Sequence, residues 1–388
     1  MPSNYQKDDP ILGYVDLDDA YITDAWLVDQ FVGNGLWTWG FNTSGQLGQN
    51  DIVHRSSPTQ VGSLINWKQI AFNGSSAAVI KTDGTLWTWG NNANGQLGSL
   101  SATNRSSPAA VGALTDWYVI SNSDNAAHML AVKNGRTLWA WGQNTNNQLG
   151  LVDIVHRSSP TQVGSLANWK YVASGTSYSA ATKLDGTLWT WGLNTNGQLG
   201  LLDVAQRSSP VQVGLLTNWK DLSGGRAQIA VIKTDGTLWT WGRNANGQLG
   251  LNDIAHRSSP IQVGSLTNWR LVAAGGYFTA AIKEDGTLWT WGQNANGQLG
   301  LNDIAHRSSP TQVGSLTNWK LVAAGGYHTA AIKTDGTLWT WGQNTRGGLG
   351  FNDIVHRSSP TQVGSLTNWR QVVCGSFHTM ATPFADIT

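Results

Sequence analysis

The chain carries seven lightly varied copies of one heptapeptide, of which the last reads Gly336-Thr337-Leu338-Trp339-Thr340-Trp341-Gly342. The second tryptophan of the copies recurs every 50 residues, apart from one interval of 52, at Trp39, Trp89, Trp141, Trp191, Trp241, Trp291 and Trp341. A fixed period of this size indicates a repeat protein, whose units pack on each other because none can bury a core alone. We therefore expect one repeat domain where a length of 388 residues would ordinarily suggest two or three domains.

Two further markers keep the same period. The motif Arg-Ser-Ser-Pro begins at Arg55, Arg105, Arg157, Arg207, Arg257, Arg307 and Arg357. A single tryptophan recurs at Trp67, Trp117, Trp169, Trp219, Trp269, Trp319 and Trp369. Together with the pairs, these account for every tryptophan of the chain except Trp26.

Each unit predicts four short strands. In the unit that begins at Trp319, apolar runs at 319–324 and 328–333 predict two strands, and the Asp335-Gly336 turn leads into a third at 337–341. A longer connection through Arg-Ser-Ser-Pro then leads to a short fourth strand at 362–363. Small antiparallel sheets repeated at this period are typical of propeller blades, so the sequence predicts an all-β, seven-bladed propeller over residues 31–388.

The third strand predicts two different faces. Alternation along a strand places Leu338 and Thr340 on one face and Trp339 and Trp341 on the other. Because tryptophans recur in every unit, we interpret them as packing between adjacent blades and not as platforms for sugars or bases, each burial contributing roughly 2–3 kcal/mol.

The order of strands predicts how the ring closes. The first unit starts at its third strand, near residues 35–40, and the last unit ends after a second strand at 377–381. Pairing of these two segments would complete one blade and remove a free sheet edge. A hairpin between 26–32 and 36–39 is the competing arrangement, and we favour closure by the C-terminal strand.

Composition excludes several functional classes. The net charge of +1 provides no global field for nucleic acid, and no apolar run is long enough to span a membrane. The only cysteine is Cys374, so no internal disulfide can form, and the first five residues lack a signal-peptide pattern. We expect a soluble protein made in the cytoplasm, without nucleic-acid or membrane partners and without a cofactor.

The repeat resembles that of the regulator of chromosome condensation family. The resemblance rests on Gly-x-Leu-Trp-Thr-Trp-Gly-x-Asn-x-x-Gly-Gln-Leu-Gly at 286–300 and on Val-Ala-Ala-Gly-Gly-Tyr-His-Thr-Ala-Ala-Ile at 322–332, and it extends over about residues 35–382. It implies a seven-bladed propeller with four-stranded blades. Exchange factors of this family carry an extra β-wedge and a basic tail, whereas this chain has only a two-residue insertion near Ser123-Asp124, so guanine nucleotide exchange is not expected.

Recurrent polar residues are interpreted as structural. An aspartate stands four residues before the motif arginine in six units, which indicates an ion pair that fixes the loop. Histidines precede five of these arginines, one per blade, and therefore cannot share a metal ion. The second strand has histidine at only three units and Ser, Tyr, Gln or Phe elsewhere, so it predicts no common catalytic proton transfer. No catalytic, cofactor or metal residue is predicted.

Two places are candidates for binding a partner. The residue after each Trp-Gly varies widely, which predicts side chains that point to solvent on one rim. These rim residues are Phe41, Asn91, Gln143, Leu193, Arg243, Gln293 and Gln343. Residues 1–30 form an acidic and apolar N-terminal head with seven aspartates and one lysine, expected to cap the propeller or to dock on a partner. The candidate docking residues are Tyr14, Leu17, Tyr21, Ile22 and Trp26.

The sequence thus predicts a non-enzymatic interaction or structural propeller. The partner is expected to be a protein within a larger assembly, such as a virus or phage particle into which the chain is incorporated. The alternative is a lectin-like propeller that binds glycans on several blades, and this alternative requires exposed tryptophans.

Overall fold

The computed structural model describes residues 35–384, which form 28 β-strands in seven four-stranded antiparallel sheets. This part of the chain contains no helix long and apolar enough to cross a membrane. The strands are β1 (Trp37–Gly40), β2 (Arg55–Gln60), β3 (Trp67–Asn73), β4 (Ser76–Lys81), β5 (Leu86–Gly90), β6 (Arg105–Ala110), β7 (Trp117–Ile120), β8 (His128–Lys133), β9 (Thr137–Gly142), β10 (Arg157–Ala167), β11 (Trp169–Ser174), β12 (Tyr178–Lys183), β13 (Leu188–Gly192), β14 (Arg207–Gln212), β15 (Trp219–Gly224), β16 (Gln228–Lys233), β17 (Leu238–Gly242), β18 (Arg257–Gln262), β19 (Trp269–Ala274), β20 (Phe278–Lys283), β21 (Leu288–Gly292), β22 (Arg307–Gln312), β23 (Trp319–Ala324), β24 (His328–Lys333), β25 (Leu338–Gly342), β26 (Arg357–Gln362), β27 (Trp369–Cys374) and β28 (His378–Pro383).

The ring closes through one shared blade. Six blades each use four consecutive strands, from β3–β6 to β23–β26, whereas the closing blade has the order β2-β1-β28-β27. In its register Trp37 faces Ala381 and Gly40 faces His378. Both edges of β1 are therefore occupied, and the predicted closure by the C-terminal strand is confirmed. The N-terminal head lies outside the described residues.

The outer strand of each blade differs from the prediction. The Arg-Ser-Ser-Pro motif was expected to be a connection, but in the last complete blade the strand itself runs from Arg357 to Gln362. The ladder with β25 is interrupted by a bulge between the pairs at Arg357 and Thr361, and Pro360 lies in this gap. Proline is tolerated there because an edge strand does not need every backbone N–H in its ladder.

The two ends of the propeller carry different loops. The first strand of every blade contacts the first strands of both neighbouring blades, so these strands line the axis of the ring. We call upper the end that carries the loops between first and second strands, such as 325–327, and the loops after the third strands, such as 343–350. The lower end carries the Asp-Gly turns, such as 334–336, and the connections between blades, such as 363–368.

The second tryptophan of each pair joins two blades. Trp341 is completely buried in one cluster with Ile282 and Leu288 of the preceding blade. Its Nε1 also donates a hydrogen bond of 3.0 Å to the backbone oxygen of Gln298, again in the preceding blade. All seven second tryptophans donate to a backbone oxygen of the preceding blade in this way. On the other face of the strand, Leu338 packs with Trp369 of the next blade. The predicted alternation and the packing of tryptophans between blades are both confirmed.

Candidate interaction face

The loops between first and second strands meet around the axis at the upper end. The residue that precedes the second strand differs between blades: it is Ser75, Ala127, Ser177, Ala227, Tyr277, Tyr327 and Phe377 in chain order. Three consecutive blades therefore present an aromatic ring where the other four present a small side chain. This difference is sufficient to make the two sides of the upper end unequal.

The inserted residues form a plug over the axis. Ser123 pairs with the first strand of the adjacent blade, where its N–H donates to Phe72 O at 2.7 Å. The next residue, Asp124, extends across the ring, and its backbone oxygen accepts a 2.7 Å hydrogen bond from Ser376 Oγ of the closing blade. A Cβ atom on Gly276 would lie 3.1 Å from Asp124 Oδ2, so the absence of a side chain there makes room for the plug. The two-residue insertion thus closes this end of the axis and does not build a projecting wedge.

Arg226 connects the plug to the aromatic residues. Its Nε donates to Asp124 Oδ2 at 3.2 Å, and its Nη1 donates to Tyr277 Oη at 2.8 Å. The guanidinium carbon lies 4.7 Å from the centre of the Tyr277 ring and 5.2 Å from that of Tyr327. Such short distances allow cation–π attraction in addition to the hydrogen bonds. The Asp124 side chain is fully buried, whereas that of Arg226 is 18% exposed.

Burial governs the charge of the plug. It raises the pKa of Asp124, and the Arg226 guanidinium opposes this rise by attraction and hydrogen bonding. The second carboxylate oxygen, Oδ1, is buried without a hydrogen-bond partner among the described residues. The carboxylate therefore depends on Arg226 for its stabilisation, because a buried charge without a partner is costly.

Four aromatic side chains continue from Arg226 around one side of the upper end. Tyr277 and Tyr327 have ring centres 6.2 Å apart, Tyr327 stacks on Phe377 at 5.2 Å, and Phe377 meets Phe41 edge-on at 6.1 Å. We call Tyr277, Tyr327, Phe377 and Phe41 the aromatic arc. All four are half-buried, so each ring is held by neighbours and still offers an edge or face to a partner.

Two more arginines border the aromatic arc. The guanidinium carbon of Arg243 lies 5.3 Å from the Tyr277 ring centre, and that of Arg346 lies 5.6 Å from the Phe41 ring centre. Tyrosine, phenylalanine and arginine are the side chains enriched at protein interfaces and among the residues that dominate binding energy. The arc and its arginines therefore form a surface suited to contact with a protein.

The predicted rim residues lie at this end, but their exposure differs from expectation. All seven are half-buried and do not project freely into solvent. Asn91 Oδ1 accepts a hydrogen bond from Gln96 Nε2 at 2.8 Å, and Gln293 Oε1 accepts one from Gln298 Nε2 at 3.4 Å, both within their own loops. Of the rim residues, Phe41 and Arg243 are the two that join the aromatic arc and its border. The variable positions therefore combine residues that support their own loops with residues that border the aromatic arc.

Comparison with known proteins agrees with this architecture. The sequence model of the RCC1-like domain matches residues 28–322, and models of the regulator of chromosome condensation (RCC1) repeat match residues 335–382 and 319–347. The chain belongs to the RCC1-like domain family. Human WBSCR16 is 22% identical and superposes with a TM-score of 0.82, covering 92% of this chain and 100% of that protein. Yeast RCC1 (Prp20), in a crystal structure with Kap60, is 20% identical with a TM-score of 0.81, covering 91% of this chain and 89% of that one. A second structure of Prp20p from Saccharomyces cerevisiae gives 20% identity and a TM-score of 0.80, with coverage of 94% and 95%. At these identities the structures show a common fold.

The motif arginines of this RCC1-like propeller stabilise loops, as predicted. Arg257 Nη2 donates to Asp253 Oδ2 at 2.5 Å, and Nη1 donates to the backbone oxygen of Ala255 at 2.8 Å. The same pair occurs in all six units with the aspartate. The histidine before it, His256, accepts a hydrogen bond on Nδ1 from the backbone N–H of Asn244 at 3.0 Å. These charges and imidazoles are therefore engaged within their own blades.

The second-strand histidines of this RCC1-like chain are buried. Burial lowers the pKa of His128 to about 3, that of His328 to about 4 and that of His378 to about 3. His328 Nε2 lies 2.9 Å from Thr379 Oγ1 of the next blade, a contact between blades. Within residues 35–384 no group of three or more His, Cys, Asp or Glu side chains is arranged to hold a metal ion.

Sequence reasoning missed a set of buried lysines. Lys333, the last residue of a second strand, places its Nζ 3.6 Å from the centre of the Trp339 ring and 5.0 Å from that of Trp319. Six blades have this arrangement, and proline replaces the lysine in the closing blade. The signal was present as a lysine at the same 50-residue period as the tryptophans.

Proposed function

We propose that this RCC1-like chain is a non-enzymatic protein-interaction module that binds a protein partner through the aromatic arc, Arg226, Arg243 and Arg346. The observation that carries the proposal is the aromatic residue before the second strand in three consecutive blades, joined to a buried Asp124–Arg226 pair. A structural role alone would not require this difference, because four blades fold with serine or alanine at the same position.

The relatives support a protein partner. Yeast RCC1 (Prp20) is described bound to Kap60, and Prp20p is described by its binding properties to Gsp1p and histones. We extend to this chain the general capacity to bind proteins through a propeller surface. The finer expectation of a larger assembly stays a prediction, and the human and yeast relatives give no support for a virus or phage particle.

The geometry favours contact with a protein over glycan binding, catalysis or nucleotide exchange. A lectin requires exposed tryptophans, whereas none of those between residues 35 and 384 is exposed. The histidines of the second strands are too deeply buried to exchange protons with a substrate in solvent. A nucleotide-exchange role would need a projecting wedge, and the insertion of this chain is used for the axial plug.

The test compares the full chain with a variant of the arc, Tyr327→Ser combined with Arg243→Gln. Both substitutions copy residues that other blades carry at the same positions, Ser177 and Gln293, so the fold should be retained. Affinity purification from the organism that carries the gene, with quantitative mass spectrometry, should show a partner whose recovery falls at least tenfold in the variant. Loss of a tyrosine or an arginine that acts as a binding hot spot costs about 2 kcal/mol or more, so a tenfold loss, about 1.4 kcal/mol, is a conservative limit.

The control is Leu215→Ser at the lower end, where Leu215 is 91% exposed and the equivalent residue of the next blade is Ser265. This control should recover the partner as well as the wild type does. Equal recovery of every partner by the arc variant and by the wild type would overturn the proposed face.

A further inference from the structure

Basic side chains surround the axis at the lower end. The residue after each single tryptophan is the second residue of a first strand and lies at this end, next to the axis. It is basic in six of the seven blades. We call these residues the basic ring: Lys68, Lys170, Lys220, Arg270, Lys320 and Arg370.

Neighbouring members of the basic ring are close to each other. Arg270 Nη2 donates to the backbone oxygens of Trp319 and Lys320, at 3.2 and 3.1 Å, and thus crosses to the next blade. Lys320 Nζ and the Arg370 guanidinium carbon lie 5.9 and 5.8 Å from the same Phe384 ring centre. Burial lowers the pKa of Lys320, and the charges of Arg370 and Arg270 lower it further. The proximity of these like charges produces a positive potential at the axis.

The one blade without a basic residue at this position, formed by β7–β10, also supplies a cation. It has Tyr118 at the ring position, but the guanidinium carbon of Arg136, from the turn of the same blade, lies 4.5 Å from the Tyr118 ring centre. Lys68 Nζ, from the adjacent blade, lies 5.7 Å from the centre of the same ring. The circle of positive charge therefore continues through this blade.

The turn aspartates of the lower end are matched locally, and Asp221, which follows Lys220 in the first strand, is buried and accepts a hydrogen bond from Val272 N at 3.2 Å. The turn aspartate Asp335 accepts hydrogen bonds from Thr337 N and Oγ1, at 3.0 and 2.6 Å, and its pKa is lowered by these bonds and by Lys333 of its own blade. The same pairing of lysine and turn aspartate occurs at Asp83, Asp185, Asp235 and Asp285. Asp116 pairs with Lys133 at 3.4 Å. A site with clustered charge of one sign attracts a ligand of the opposite sign.

We infer that residues 1–30 of this chain dock on the basic ring and cover the lower end of the axis. Their seven aspartates and one lysine give a net charge of −6, which complements a ring of six cations and Arg136. The segment also enters the propeller at this end, because β1 begins at Trp37, opposite Ala381, and reaches the upper end only at Gly40. Thirty residues span up to roughly 100 Å when extended, so the axis is well within reach.

The composition of the segment fits the chemistry of the ring. Aspartates can form charge-assisted hydrogen bonds with lysine and arginine, and Tyr14, Tyr21 and Trp26 can stack on the same cations. This inference concerns the end opposite to the aromatic arc and does not depend on the proposed function.

Zero-length cross-linking tests the inference on the full chain. A carbodiimide joins carboxylates to amines that are in direct contact, and mass spectrometry then identifies the joined peptides. We expect links from aspartates of residues 1–30 to Lys170, Lys220 or Lys320, at least fivefold reduced in 1 M salt. The buried lysines under the tryptophans, such as Lys233, lie at the same end and are the internal control, which should show no link to the segment.

A second measurement uses a single-stranded DNA 20-mer as a polyanion probe. Its affinity for a full chain in which the seven aspartates of residues 1–30 are changed to asparagine should exceed its affinity for the wild type at least tenfold, and this gain should be lost when Lys170, Lys220 and Lys320 are also changed to glutamine, which separates opening of the ring from the general rise in net charge. The inference is overturned by equal affinity, by the absence of links to the ring, by links from Asp386 alone, or by links that join isotope-labelled to unlabelled chains.

Discussion

Replacing Arg226 by methionine should leave the Asp124 carboxylate at the axis without its cation. Asp124 is fully buried and its Oδ1 already lacks a hydrogen-bond partner in the described part of the chain, so Arg226 provides the main compensation. Removing one partner of a buried pair typically costs about 3–5 kcal/mol. We expect about 3 kcal/mol for Arg226→Met, because the pair lies near the surface on the arginine side.

Replacing the other partner of the pair, Asp124, should cost less. In Asp124→Asn the arginine keeps its 2.8 Å hydrogen bond to Tyr277 and its partial contact with solvent, so about 1 kcal/mol is expected. The double variant should then cost at least 1 kcal/mol less than the sum of the single variants, since the pair is lost only once.

The effect of pH provides an independent check. Burial raises the pKa of Asp124 above its ordinary value, and loss of Arg226 should raise it further. A group whose folded pKa is raised contributes stability at low pH that is lost as the pH rises. The loss of stability caused by Arg226→Met should therefore be largest at pH 8 and should become smaller toward pH 5 as the carboxyl of Asp124 takes up a proton.

The free energy of unfolding is measured by urea denaturation followed by tryptophan fluorescence, at pH 8 and at pH 5, for the wild type, the two single variants and the double variant. Arg226→Gln serves as a control that keeps a polar side chain of similar length, and it should be intermediate. Two results would refute a buried pair that stabilises the plug. One is a double variant whose loss of stability equals the sum of the losses in the single variants, and the other is a loss of stability in Arg226→Met that is the same at both pH values.

Three further predictions concern the blades. Trp341→Phe should destabilise by about 1–3 kcal/mol in urea unfolding because the bond to the preceding blade is lost and the backbone oxygen of Gln298 keeps only Thr329 Oγ1 as a donor, whereas Trp339→Phe, whose indole bonds only within its own blade, should cost less. Asp221→Asn should raise stability by up to about 3 kcal/mol at pH 8 and hardly at pH 4, because burial raises the pKa of Asp221 from 3.8 to about 6, so that the wild type loses stability as the pH rises from 3.8 to about 6; equal gains at both pH values would contradict this. His378→Phe should raise the melting temperature more at pH 4 than at pH 8, because the folded pKa of about 3 makes the wild type lose stability as the pH falls below 6.5; a gain that does not depend on pH would speak against it.

The sequence predicted what depends on one blade and its neighbours. The period of Trp341 and its equivalents determined the number of blades, and the unfinished first and last units indicated the closing pair of β1 and β28. The Asp253–Arg257 pair was also predictable, because four residues of one loop suffice to form it. Each of these relations is local in the chain or repeats at every interface.

Features at the axis were not predicted. Asp124 was visible as part of an insertion, but its contacts with Arg226 and Ser376 require a closed ring that brings blades from opposite sides together. The basic ring has the same period as Trp319, yet a residue such as Lys320 gains significance only because first strands line the axis. A single unit carries no information about which of its strands is innermost.

The strand formed by Arg-Ser-Ser-Pro was missed for a different reason. Its side chains are polar on both faces and include Pro360, and this composition ordinarily indicates a loop. At the outer edge of a blade, however, one ladder and a solvated face are sufficient for a strand.

The hydrogen bond from each second tryptophan has a consequence for how such chains diversify. Its acceptor is a backbone oxygen, so the side chain at that position is irrelevant to the bond: it is glutamine in six blades, and Gly348 accepts from Trp39 equally well at 2.9 Å. Every junction therefore uses the same donor and an acceptor that all amino acids possess. For this bond the blades are interchangeable, whereas the contacts of Asp124 with Arg226 and Ser376 at the axis belong to particular blades. A gene in which two interior blades without these residues exchange places should encode the same ring with its surface residues rearranged.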